Sequence, residues 1–174
     1  MKWPENLQST PSHGASETAI NDFTSTLFAR LDDSTINRLN TEHRDALGDV
    51  DFAPTFDAEN WILPATKLPD SYLNFLRSSN GGFFAGHHRD FDPLFPLSDV
   101  RDYMLAYSIP QWMPLACPIG MDGGATFYLF DMRHPPIADD YPILMAHSSN
   151  LGYEDSLRVA DSFLELIGTG LGNA

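Results

Sequence analysis

Leu68-Pro69-Asp70-Ser71-Tyr72-Leu73-Asn74-Phe75-Leu76-Arg77-Ser78-Ser79-Asn80-Gly81-Gly82 carries both ends of one helix in its own residues. Pro69 suits the first helical position, where its missing N–H is no loss and its φ is already helical. Asp70 and Ser71 supply negative charge and acceptors to the first turn, where free N–H groups point. Leu68, Tyr72, Phe75 and Leu76 recur at i, i+4, i+7 and i+8 and form one apolar stripe. Arg77 sits in the last turn, and Asn80-Gly81-Gly82 stops the helix because glycine takes the left-handed conformation without steric cost. Phe83 and Phe84 follow, so the chain is expected to pass into a buried strand or a core-facing loop. Nothing in the stretch is catalytic, and its residues are expected to pack and to turn the chain.

The chain has 174 residues, 43% hydrophobic and 12% aromatic, enough for one domain with a real core. Its formal net charge is −14, well beyond the roughly 2–8 units that suit a small soluble domain. Such a field repels nucleic acid and anionic membrane and attracts basic partners. Cys117 is the one cysteine, set in the apolar run Leu115-Ala116-Cys117-Pro118-Ile119. It cannot form an internal disulfide, and a buried small hydrophobe is its expected role. No apolar run reaches the ~20 residues of a membrane span, and the first residues lack the apolar core of a signal peptide. A reducing, cytoplasmic location is the resulting expectation.

Residues 1–15 are polar and proline-containing and read as a tail. Ser16-Glu17-Thr18 opens a helix with Ile20, Phe23, Leu27, Phe28 and Leu31 on one face. Asp32-Asp33-Ser34 breaks the chain, and Asp33 or Ser34 caps a second helix carrying Ile36, Leu39 and Leu47 inward, with Gly48 at its end. This pair is expected to form an αα-hairpin with a polar, surface-lying second member. Residues 49–67 read as an extended connector anchored by Trp61. Residues 85–96 read as a loop, and Leu97-Ser98-Asp99 starts a helix with Val100, Tyr103, Met104 and Tyr107 inward, ended by Ile109-Pro110.

The clearest β signal follows. Leu115–Ile119 and Thr126–Met132 are apolar runs separated by Gly120-Met121-Asp122-Gly123-Gly124-Ala125, which is turn chemistry. Pro118 needs a position that does not require a ladder donor. Pro142–His147 is a third strand. Asp155 or Ser156 is expected to cap a last helix with Leu157, Ala160, Phe163, Leu164 and Ile167 on its apolar face, closed by Gly168 and Gly170. Helices, a run of strands and a final helix make an α+β layer fold.

In this order the motifs resemble the SUKH superfamily, which includes a fungal regulator of cell-wall synthesis and many bacterial immunity proteins. The matching positions are Leu68, Pro69, Tyr72, Phe75, Leu76, Asn80, Gly81 and Gly82, then Gly120, Asp122, Gly123, Gly124, Tyr128, Asp131, Phe163 and Leu164. The resemblance runs from about residue 61 to about residue 168, within a family-like domain placed at 51–170; residues 16–50 are a helical extension outside it. It implies a twisted, mostly antiparallel sheet flanked by helices, no catalysis, no cofactor, and a protein partner. In bacteria that partner is often a toxin, frequently a nuclease. A nuclease holds phosphates with basic residues, so the acidic charge, read independently, suits a protein that covers one. An intracellular scaffold or regulator of the same fold is the alternative. Asp90, Asp92, Asp139 and Asp140 are the candidate partner-binding residues, the last two on an exposed loop.

His87-His88-Arg89-Asp90-Phe91-Asp92 holds ligand types for a metal such as Zn²⁺, and would support a metal-dependent hydrolase. Adjacent histidines diverge, however, and no third element at ligand spacing accompanies them, so a solvated loop or an acidic partner-binding edge is preferred. His134 and His147 stand apart from any carboxylate–nucleophile arrangement. The Gly120–Gly124 turn lacks the Gly-Lys-Ser/Thr ending of a phosphate loop, and Asp122 is read as turn-forming.

Overall fold

The apolar runs between residues 115 and 147 form the middle of a seven-stranded antiparallel sheet, in a computed structural model that describes residues 8–47, 56–85 and 90–170. The strands are β1 (Gln8–Pro11), β2 (Gly82–Ala85), β3 (Asp90–Leu94), β4 (Ala116–Met121), β5 (Thr126–Asp131), β6 (Ile143–His147) and β7 (Leu157–Ala160). They lie side by side in sequence order, each antiparallel to the next. The helices are α1 (Glu17–Thr26), α2 (Asp33–Leu47), α3 (Asp70–Ser78), α4 (Leu97–Ala106), the single turn α5 (Ile109–Trp112) and α6 (Phe163–Gly170). The α+β class expected from the sequence is therefore the observed one.

Successive side chains of a strand point to opposite faces, and β5 buries both. Phe130 packs edge-on against Tyr72 of α3, with Phe163 of α6 beside it. Phe127 instead meets Tyr103 and Tyr107 of α4 and its end. The run Phe127–Phe130 is apolar without a gap because helices cover the central strand on both sides. Pro118 sits at a register shift between β4 and β5, where a missing N–H does not break the ladder. Gly120 lies where β3 crosses closely: an added Cβ would come within 2.8 Å of the Pro93 carbonyl oxygen.

The opening helix begins one residue later than its sequence suggests, with Pro69 as N-cap and Asp70 as the first helical residue. Its end ties four segments together. Gly81 has φ 80°, and a Cβ there would lie 2.5 Å from the backbone nitrogen of Pro96, so no larger residue fits. The Asn80 side chain accepts from Leu97 N–H at 2.9 Å and so caps α4, whose own N-cap residue, Pro96, supplies no side-chain acceptor. Ser12 Oγ donates to the Asn80 carbonyl at 2.5 Å, and Ala15 N–H donates to the Leu76 carbonyl at 2.8 Å. Gly14 lies so close to α3 that a Cβ would overlap the Arg77 carbonyl.

Several expectations are corrected. Residues 8–11, read as part of a polar tail, pair with β2 as an edge strand. The loop expected over 85–96 contains β3, whose short Asp90-Phe91-Asp92-Pro93-Leu94 sequence places only Phe91 and Leu94 inward and so shows little alternation. Ile109-Pro110 begins α5 rather than only ending α4, since proline suits the first turn. Asp32, not Asp33 or Ser34, caps α2, accepting from Thr35 N–H at 2.8 Å. Rather than lying along α1 as a hairpin, α2 packs through Leu39 on Leu31 and Ala58, with Trp61 beside them. The expected single last helix is a strand and a helix. Leu157 and Ala160 belong to β7, Leu164 is 53% exposed, and Gly168 lies within α6. The true cap is Ser162, whose hydroxyl accepts from Glu165 N–H while the Glu165 carboxylate accepts from Asp161 N–H. That reciprocal pattern is close to a capping box and is written as Ser-x-x-Glu. The expectations for Leu47 (inward), Gly48 and residues 49–55 lie outside the described side chains or residues.

Two outcomes follow from this packing. Asn80→Ala removes the acceptor that caps α4 and should lower stability by about 1 kcal/mol in denaturant melts; an unchanged midpoint would show that the cap contributes nothing. His43 of α2 stacks on Phe56 with centroids 3.8 Å apart, and burial holds its imidazole below the ordinary value. A lowered folded value means that its stabilising contribution is present above the unfolded value of about 6.5 and fades as pH falls through the folded one. An NMR titration should place its midpoint below about 6.5, and Phe56→Ala should move it upward; a wild-type midpoint at or above that value contradicts the stacking.

Candidate partner-binding surface

The four candidate acidic residues fall into two places. Asp90 and Asp92 are exposed on β3. Asp92 bridges to Asp122 at the start of the turn between β4 and β5, so the Asp90–Asp92 edge adjoins that turn. Asp122 does what its setting in Gly-x-Asp-Gly-Gly predicts: its carboxylate accepts from Gly124 N–H at 2.8 Å and Thr126 N–H at 3.0 Å. Burial alone would raise its pKa, but these backbone donors hold it below the usual carboxylate value, so it stays ionised. Gly123, at φ 76°, lies against the Asp92 side chain, and a Cβ there would stand 2.9 Å from Asp92 Oδ2. Three carboxylates therefore line one edge.

Asp139 and Asp140 lie beyond the other end of β5, in the connection from Asp131 to Ile143. A six-residue strand at ~3.3 Å per residue separates the two ends by about 16 Å, so the sheet does not bring the pairs together. Asp139 is exposed, in a tight turn where it and Ala138 have φ 61° and 51°. Asp140 contradicts the sequence reading: it is only 6% exposed and faces inward. Its Oδ2 accepts from Ser71 Oγ at 2.8 Å and from Phe163 N–H at 3.2 Å, and its Oδ1 accepts from Tyr141 N–H. It thus places negative charge at the N-termini of α3 and α6, where helix dipoles favour it. Its partners Ser71 and Phe163 lie 69 and 23 residues away, so sequence adjacency to Asp139 concealed its role.

The ion pairs among the described residues are Arg38–Glu42, Arg77–Glu17, Arg133–Asp131 and Arg158–Asp161. Asp70, Asp90, Asp92 and Asp139 are in none of them. Arg101 is spent on backbone, donating to the carbonyls of Thr26, Leu27 and Ala29 at the end of α1. Much of the small cationic complement is therefore held locally, which leaves exposed carboxylates to set the outer field.

A groove of about 390 Å³ adjoins Asp139, lined by Ala65, Thr66, Lys67, Leu68, Asp70, Pro136, Asp139 and Tyr141. Sequence reasoning missed it, because its walls come from segments about 70 residues apart, and the motif that begins at Leu68 reads only as a helix start. Of the proposed metal cluster, His87 and His88 lie outside the described residues. Among those described, no group of three His, Cys, Asp or Glu is arranged to hold a metal ion. Cys117 is fully buried and its thiol is pushed far up by burial, so it is not a thiolate nucleophile. His147 is exposed and shares a hydrogen bond with Ser149. Among the described residues, no helix is long and apolar enough to cross a membrane.

The two neighbouring aspartates should separate cleanly on mutation. Asp140→Ala leaves buried donors of Ser71, Tyr141 and Phe163 without an acceptor and should cost about 2–3 kcal/mol in stability. Asp139→Ala should change stability by less than about 0.5 kcal/mol. Equal effects would place Asp140 at the surface after all.

Residues 56–169 match the family model described as the SMI1 / KNR4 family (SUKH-1), a span that takes in α3, β2 to β7 and most of α6. No curated protein matches the chain. The matched span is well over half of the 174 residues and holds the Asn80-Gly81-Gly82 junction and the turn at 122–125, which is shorter than the expected one because Gly120 and Met121 pair with β5 as the end of β4. The chain belongs to the SMI1/KNR4 (SUKH-1) family.

Proposed function

We propose that this chain is a non-catalytic protein-binding domain that neutralises a toxin, acting as an immunity protein against a basic, nuclease-type partner. The observation that carries this reading is a net charge of −14 whose exposed carboxylates at Asp90 and Asp92 enter no ion pair among the described residues. They share an edge with the ionised Asp122. A basic active-site cleft meets such an edge as it would meet phosphates, and the same charge disfavours nucleic acid itself and anionic membrane as ligands. Family membership supports a binding role, Cys117 is fully buried, and the His147 Nδ1 that meets Ser149 Oγ also accepts from Ser149 N–H, with no carboxylate contact orienting the ring among the described residues. The partner is met in the cytoplasm in this reading.

Binding to the purified product of an adjacent toxin-like gene tests the proposal. Paired charge reversal, Asp90→Lys with Asp92→Lys, should weaken that binding at least about tenfold and slow association more than it speeds dissociation. Association should also slow as salt rises, because exposed charges are screened beyond about 8 Å at physiological ionic strength. Binding that ignores both manipulations defeats the electrostatic mechanism. Absence of any binding, with an isolated gene, would favour a scaffold of the same fold.

A further inference from the structure

Between β5 and β6 the residues Arg133-His134-Pro135-Pro136-Ile137-Ala138-Asp139 are exposed without a break. We propose that this segment is a preformed recognition loop that seats Ile137 in an apolar pocket of the protein partner, with a cation of that partner beside the pocket to meet Asp139. The inference rests on the protein-binding reading above and deepens it, because it names a contact built on apolar side chains rather than on the Asp90–Asp92 edge.

The first observation is what the loop shows to solvent. Pro135, Pro136, Ile137 and Ala138 are apolar, consecutive and exposed, and Ile137, at 72%, is the most exposed large hydrophobic side chain among the described residues. Single exposed apolar residues are ordinary, whereas an exposed run of about three to four is a defect unless it is used.

The second observation is that the loop is held in shape without being buried. At its start the Arg133 guanidinium donates to both oxygens of Asp131 at 2.8 and 2.7 Å and lies 3.5 Å from the centre of the Tyr153 ring. Tyr153 in turn donates to the Pro114 carbonyl at 2.6 Å. Pro135 and Pro136 fix their own φ. At its end Ile137 and Asp140 exchange backbone hydrogen bonds at 2.9 and 3.1 Å. The buried Asp140 carboxylate, accepting from Ser71 and Phe163, ties that end to the starts of α3 and α6.

The third observation is strain. Ala138 and Asp139, the two residues between Ile137 and Asp140, have φ of 51° and 61°. Aspartate tolerates this region, but alanine enters it at a cost, and glycine is the usual choice for such a turn. Strain that the surrounding structure holds in place collects at ligand clamps. A loop already ordered loses little entropy on binding, so its apolar run can serve as an anchor. Charge selects the occupant. A second copy would bring the same net charge of −14 to the contact, whereas a basic protein brings a cation to Asp139, which forms no ion pair among the described residues.

Binding kinetics with the purified product of an adjacent toxin-like gene, read by biolayer interferometry, test this. Ile137→Ser should weaken binding at least about tenfold, chiefly through faster dissociation, and by the same factor at low and high salt. Ile62→Ser and Leu157→Ser, at side chains 58% and 65% exposed in other places, should each change it less than about twofold. Ala138→Gly, which relieves the turn, should raise the denaturation midpoint yet weaken binding severalfold, because the loop must then be ordered on binding. A labelled Ile137 methyl should shift on complex formation, which reads the contact without any mutation. The proposal is overturned if Ile137→Ser binds like the unmutated chain, if that methyl is unmoved in the complex, or if Ala138→Gly binds as tightly. Dimerisation of the chain that Ile137→Ser abolishes would assign the loop to a second copy and overturn it as well. A complex that forms but ignores Ile137 removes this loop alone. Absence of any complex removes the immunity reading, and this inference with it.

Discussion

The junction at Asn80-Gly81-Gly82 is the constraint on which the rest of this structure depends. It ends α3, starts β2, caps α4 from a distance and receives the segment before α1. The side-chain carbonyl of Asn80 satisfies the Leu97 N–H, which has no partner within its own helix, and the absence of a side chain at Gly81 lets two backbone segments approach within contact distance. Because four segments meet at three residues, their relative positions are set by short-range geometry. The aromatic packing of Tyr72, Phe130 and Phe163 then fills the space that the junction defines.

This explains which parts of the fold can be read from the sequence. The helix at residue 70 and the strands at 126–131 and 143–147 are legible because local propensity, end signals and burial all agree there, and so is 116–119, whereas Gly120 and Met121, expected in the turn, extend that strand. The edge strands are not. Gln8–Pro11 and Leu157–Ala160 are four residues long, take their pairing from a neighbour, and show too little alternation to announce themselves. At the C-terminal end the apolar spacing of Leu157, Ala160, Phe163 and Leu164 fits a helix, yet the Ser162–Glu165 cap splits it. The end signal outweighs the periodicity, because a satisfied helix start fixes where the backbone turns.

The candidate site was legible in part. Asp90, Asp92 and Asp139 are exposed, as their polar settings suggest. Asp140 differs from Asp139 only in tertiary context: the turn that exposes one carboxylate drives the next beneath two helix ends. No property of the Asp139-Asp140 dipeptide distinguishes them. The groove containing Tyr141 is likewise invisible along the chain, since it exists only when α3 and the turn before β6 are brought side by side.

Under the proposed reading, the acidic charge, the local pairing of cations and the exposed carboxylates serve to meet a basic protein. Hydrogen–deuterium exchange of the chain, alone and with the purified product of an adjacent toxin-like gene, measures this most directly. The account predicts protection in β3, in the Asp122–Thr126 turn and in residues 136–141, with the α6 core unchanged. Protection confined to other surfaces, or no protection in a complex shown to form, would contradict it.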